Sequence, residues 1–148
     1  MTLIALIAVA ALVAAVLLAR FAESSYAGQW LGPVDAELQL YDADTVAASA
    51  ASDSIDLGEN FSPAPRAPVH LLVDVDALDE TTGDETYVMK LQESADDANW
   101  SDAGLEFAVA ATGTIVQVGG VAKRYVRAYL TLAGTTPSIT LSAWLRHA

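Results

Sequence analysis

The 148-residue chain contains no cysteine. That absence excludes a disulfide framework, a thiolate nucleophile and any zinc or iron–sulfur site held by sulfur, so the folded part is held by packing alone. Basic residues are scarce as well: 7 Lys and Arg stand against 19 Asp and Glu, for a formal net charge of -12. A surface of that sign repels phosphate backbones, so nucleic acid is not an expected partner. Histidine occurs only at His70 and His147, and there is no H-E-x-x-H pattern, G-x-S-x-G elbow or phosphate-cradling glycine loop. The expectation is a non-enzyme without a cofactor or metal centre.

One long hydrophobic run is present, Thr2 to Ala19, ended by Arg20. As a helix it extends about 27 Å at 1.5 Å per residue, close to the thickness of a bilayer core. Three readings compete. A transmembrane or signal-anchor helix fits the length, although a basic n-region is missing. A helix buried among copies of itself or under a protein shell fits the many alanines, which permit close approach. An upstream start codon can also append such residues to a domain that does not need them. Phe21, Tyr26 and Trp30 follow among small polar residues, suiting either a membrane interface or a partner's groove. Residues 1–32 are therefore read as an apolar N-terminal helix with an aromatic linker, and 33–148 as the folded domain.

Within that domain the hydrophobic pattern has period two. Val126, Ala128 and Leu130 alternate with Tyr125, Arg127 and Tyr129, and Ile139, Leu141, Ala143 and Leu145 alternate with Ser138, Thr140, Ser142 and Trp144. These are two strands, joined through Gly134 and Pro137 as a hairpin or as a link between two sheets. Val69, Leu71, Val73 and Val75 share one face of a strand over Val69 to Asp76, and Tyr87, Met89 and Leu91 share one over Thr86 to Gln92. Further short strands are expected at Ile55 to Leu57, Leu105 to Ala110 and Thr114 to Val118, with Gly119 and Gly120 as a tight turn. Residues 33–54 read as an extended arm: Leu38 and Leu40 alternate with polar residues, and Ala47 to Ser54 are small residues too poor in bulk to anchor a core. Three prolines between Ser62 and Pro68 read as a crossing loop. The expected fold class is all-β, a jelly-roll or β-sandwich domain preceded by one apolar α-helix.

Four features bear on sites. Asp79, Glu80, Asp84 and Glu85 surround Gly83, which suggests calcium by ligand type, but the spacing lacks the D-x-D-x-D-G order and acidic tips are commonly just solvated. Asp74 and Asp76 fall on one strand face, a conceivable glycosidase pair without a cleft. Trp100, in a polar stretch, is either a sugar-stacking platform or a lid on the core. Lys123, Arg124 and Arg127 either meet an acidic partner or neutralise the chain's own acidic loops.

The runs VDAELQLYDADTVAASAASDSIDLG, LQESADDANWSD and KRYVRAYLTLAGTTPSITLSAWL together resemble the capsid cement proteins of tailed bacteriophages, the Bbp16-like family. The resemblance covers Val34 to Trp144, and the apolar segment ahead of it has no counterpart in the family. It implies a β-sandwich or jelly-roll decorating the outside of a virion head shell, as a homotrimer bound to the major capsid protein. On that footing the candidate interface residues are Trp30, Leu38, Leu40, Tyr41, Phe61, Arg124, Arg127 and Trp144. The alternative is a membrane-anchored adhesion or carbohydrate-binding module, with Thr2 to Ala19 in the bilayer and Trp100 on a glycan.

Overall fold

Alternation of apolar and polar side chains produces strands because successive residues of an extended chain face opposite sides. The computed structural model describes residues 38–60 and 66–147, and these form nine strands. They are β1 (Gln39–Val46), β2 (Ala50–Ala51), β3 (Ile55–Asp56), β4 (Ala67–Leu78), β5 (Thr86–Ser94), β6 (Trp100–Ala108), β7 (Gly113–Val121), β8 (Tyr125–Ala133) and β9 (Ile139–His147). The apolar run Thr2 to Ala19, with the helix and membrane readings placed on it, lies outside the described residues, as do Trp30 and Phe61. Among the described residues no helix is long and apolar enough to cross a membrane.

The described residues are nearly all-β, with two antiparallel sheets. One has the order β1-β9-β4-β7, and the other β2-β8-β5-β6 with β3 also on β8. Consecutive strands rarely pair. Among the described residues only β5 and β6 are chain neighbours hydrogen-bonded to each other, so most of the connections between these strands carry the chain from one sheet to the other. The β8 to β9 connection is thus a link between sheets.

The inward faces meet in one apolar cluster. Leu71, Val73, Leu141, Ala143 and Ile139 come from the first sheet, and Met89, Leu91, Val126, Ala128 and Leu130 from the second. These are the alternating sets read from the sequence. Strand β1, the core of the expected arm, is extended but lies along its own sheet, paired with β9. It carries register shifts between Gln39 and Tyr41 and between Tyr41 and Asp44, which blunt an edge that would otherwise invite pairing.

The Gly119–Gly120 pair does not turn the chain. Both glycines lie inside β7, opposite Val69 and Pro68 of β4. A Cβ at Gly119 would stand 3.2 Å from Leu105 Cδ2, and one at Gly120 3.1 Å from Arg66 Cβ, so close approach explains the glycines. Pro68 enters the strand at its first turn of pairing, where β4 is bonded to β7 but not yet to β9.

Each end of the body is tied across the sheets. At one end the buried Tyr87 hydroxyl donates to Asp79 O at 2.6 Å and accepts from Ser138 N at 3.0 Å. At the other, Arg66 Nη2 pairs with the buried Glu93 carboxylate at 2.9 Å.

Candidate functional site

Residues that strand alternation turns away from the core make up two outward faces. On the five-stranded sheet the register aligns Tyr125, Ser94 and Trp100 in one row, Arg127, Gln92 and Asp102 in the next, and Tyr129, Lys90 and Glu106 in a third. Cations lie over the aromatic rings: Arg127 is 4.1 Å from the Trp100 ring centre, Arg124 5.1 Å from Tyr125 and Lys90 Nζ 5.6 Å from Tyr129. Arg127 Nε also donates to Gln92 Oε1 at 3.0 Å, and Lys90 Nζ meets Asp102 Oδ2 at 3.1 Å. Each cation is held over its ring by a second partner, which fixes the surface before anything binds it.

Arg124 makes a forked contact with Asp56, through Nε at 2.7 Å and Nη2 at 2.6 Å. The Arg124 hydrogen bonds, with help from Gly58 N–H, hold the Asp56 carboxyl down at about 2. Lys123 Nζ donates to Ser101 Oγ at 2.7 Å. The basic run is therefore engaged with the chain's own polar groups and rings, and Trp100 sits at the start of β6 with Arg127 above it.

The outward face of the four-stranded sheet differs in chemistry. Its central row runs Gln39, Trp144, Leu72 and Val116 across β1, β9, β4 and β7. Arg146, His70 and Val118 lie on one side of that row, and Ser142, Asp74 and Thr114 on the other. Leu72 is buried although it points away from the core cluster, and Val118, at 65% exposed, is the large apolar side chain most open to solvent among the described residues.

The remaining candidates separate. Leu40 and Tyr41 are 4% and 5% exposed and belong to the core, so they are not surface groups. Burial pushes the Tyr41 hydroxyl up to about 12, and it donates to Ala50 O at 3.2 Å. Leu38 is half-buried and lines an apolar cavity of about 110 Å³ with Leu57, Ala67, Val69, Val121 and Leu145. Arg127 lies on one outward face, with Arg124 beside it over the Tyr125 ring, and Trp144 lies on the other, so the structure does not bring these three together.

The acidic loop spends its carboxylates on itself. Asp84 accepts from Thr82 Oγ1 at 2.7 Å and Thr135 Oγ1 at 2.8 Å, while Glu85 accepts from Gly83 N at 2.8 Å and from Thr82. Asp79 accepts from Thr81 N at 2.9 Å. These hydrogen bonds, those from the threonine hydroxyls foremost, hold all three carboxyls below their ordinary range. Among the described residues no three His, Asp or Glu side chains converge as a metal site would require. Asp74 accepts from Thr114 Oγ1 at 3.0 Å.

Sequence reasoning missed that Trp100 and Arg127 form a pair. Their separation in the chain hides it, and only the pairing of β5 with both β6 and β8 brings them together. No family model and no curated protein matches this sequence.

Proposed function

We propose that the chain is a structural, non-enzymatic capsid cement protein of jelly-roll fold, which binds the major capsid protein from outside the virion shell as a homotrimer. The strand order supports the jelly-roll reading. With β2 and β3 counted as one interrupted strand, the two sheets interleave as two Greek keys folded over one another would. The observation that carries the binding function is the face holding Trp100, Tyr125, Tyr129, Arg124 and Arg127. Trp, Tyr and Arg are the residues that dominate the energetics of protein interfaces, and here they are pre-positioned by cation–ring contacts. The partner's identity comes from the family resemblance of Val34 to Trp144.

Co-sedimentation of the full chain with heads assembled from the major capsid protein tests this. Saturable binding of the wild type, reduced at least tenfold by Trp100→Ala and Arg127→Ala, is expected. Failure of the wild type to bind, with retention on immobilised glycans instead, would replace the cement reading by that of a membrane-anchored carbohydrate-binding module. Against that outcome stands Arg127, which covers one face of the Trp100 ring that a sugar would need.

A further inference from the structure

We propose that the outward face of the four-stranded sheet is a self-complementary surface on which two copies of this chain pair about a two-fold axis. This does not rest on the capsid reading, and it concerns the sheet opposite the one bearing Trp100 and Arg127.

The starting point is the row Trp144, Leu72 and Val116, three apolar side chains aligned across three strands on a face turned from the core, with Trp144 and Val116 partly exposed and Leu72 buried between them. Val118 extends this apolar surface and is largely open to water. Trp144, Val116 and Val118 thus leave apolar groups open to water on one outward sheet face, where a partner surface can cover them. The charges around the row indicate which partner fits. Arg146 and His70 flank it on one side and Asp74 on the other, where Ala43 of β1, next to Asp42, donates its N–H to Ser142 Oγ at 2.9 Å.

An axis along the row, in the plane between two stacked faces, carries the Arg146 and His70 side of one copy over the Asp74 side of its partner. The row is mapped onto itself. His70 then faces the partner's Asp74, Val118 faces the partner's Thr114, and Val116 faces the partner's Val116. That reciprocity, in which i meets j and j meets i, is what a two-fold interface requires. Elsewhere the excess of 19 acidic over 7 basic residues makes copies repel. Here Arg146 and His70 lie on one side of an apolar stripe and Asp74 on the other, so the same geometry that buries the stripe sets Arg146 over the partner's Ser142 and beside the partner's Asp74, and His70 over the partner's Asp74. Sheets stack face to face in this manner within β proteins, with their strands nearly aligned or antiparallel. A two-fold contact on this face leaves the other sheet free, and a chain with both contacts would join neighbouring assemblies.

The absence of cysteine makes the test direct, because one introduced thiol is unique in the chain. The full chain carrying Val116→Cys is treated with a short thiol-specific bifunctional cross-linker, beside a Thr131→Cys control on the opposite sheet. Cross-linked dimer from Val116→Cys several-fold above the control is expected. His70→Cys mixed with Asp74→Cys should yield more dimer than either alone. Association through residues 1–32 or through a three-fold contact would not produce that pattern. Equal cross-linking at Val116 and Thr131, or His70→Cys chains joining to themselves as readily as to Asp74→Cys, overturns the proposal. Charge reversal gives a second reading without a new thiol on the row's flanks: Arg146→Asp should lower Val116→Cys cross-linking severalfold and added Asp74→Arg should restore it, while no effect of either counts against the pairing.

Discussion

Arg66 and Glu93 form an ion pair of 2.9 Å in which the carboxylate side chain is 6% exposed and the guanidinium side chain 45% exposed. The pair is a junction. Arg66 also donates to the carbonyls of Gly120 and Ala103, each at 3.0 Å, and Glu93 Oε2 accepts from Ala122 N at 2.8 Å. Four strands, β4, β5, β6 and β7, are tied through two side chains. Arg66→Met leaves a buried carboxylate without its cation. Losing a partner from a fully buried pair costs about 3–5 kcal/mol, and the half-exposed arginine brings the expectation to about 2 kcal/mol. Chemical denaturation of the full chain followed by tryptophan fluorescence measures it, and an unchanged midpoint would show that the junction contributes nothing.

Gly134 has φ +116, and a Cβ there would lie 2.7 Å from Glu85 Cα and 2.9 Å from Asp84 O. Both obstacles are backbone and cannot swing aside. Gly58 also has positive φ, +88, but open space around it. Gly134→Ala should therefore cost more than Gly58→Ala, which carries only the backbone penalty of about 1 kcal/mol. Equal losses in the two variants, read from denaturation midpoints, would remove the steric argument.

The contrast among glycines marks what the sequence can reveal. Alternation at Val126, Ala128 and Leu130 and at Ile139, Leu141 and Leu145 reports a face, because period two is a local property, and those faces are the core. The role of Gly119 and Gly120 is not local. It depends on Leu105 and Arg66, which pass close to β7 only once the chain has crossed between the sheets. The same holds for the candidate surface. Arg127 was visible as a charge and Trp100 as an isolated aromatic, but their contact needs β5 between them. Leu40 and Tyr41 read as interface candidates on an extended arm, and alternation cannot bury two successive residues; the register shift in β1 puts both in the core.

Tyr41 carries a pH signature. Burial raises its hydroxyl from 10 to about 12, so the neutral form is favoured by folding. The unfolded chain loses this proton first as pH rises past 10. Stability from this group is complete below pH 10 and declines until pH reaches about 12, by on the order of 2 kcal/mol. Tyr41→Phe should flatten that part of the alkaline stability profile. A profile identical in the two proteins would mean that Tyr41 ionises as freely folded as unfolded.

Asp56 gives the opposite sign. Its forked contact with Arg124 lowers its carboxyl from 3.8 to about 2, so the stabilisation is present above pH 4 and is lost as pH falls through about 2. Asp56→Asn should remove this acid-side slope and loosen β3, which pairs with β8 only through Ile55 and Asp56. Nuclear magnetic resonance titration of the Asp56 carboxyl checks the first claim directly: a midpoint near 4 would mean the fork is open in solution.

The edge of the five-stranded sheet beside β8 supplies the last test. Strand β2 has only two residues, too few to cover its neighbour, and its surroundings are rich in alanine and serine with no bulk to pack. Serine hydroxyls complete the ladder instead. Ser49 Oγ accepts from Leu132 N at 2.8 Å and reaches Leu132 O at 3.2 Å, while Ser52 Oγ accepts from Ala128 N at 3.0 Å. An exposed strand edge left without partners recruits other chains, so these small side chains protect the sheet as well as close it. In Ser49→Ala and Ser52→Ala the amides of Leu132 and Ala128 lose their acceptors. Hydrogen exchange at those two amides should accelerate by at least tenfold while exchange at Met89 and Leu91, on the interior strand β5, stays slow. If all four positions speed up together, the serines would be holding the whole sheet rather than its edge. If none does, main-chain pairing alone would be closing the edge.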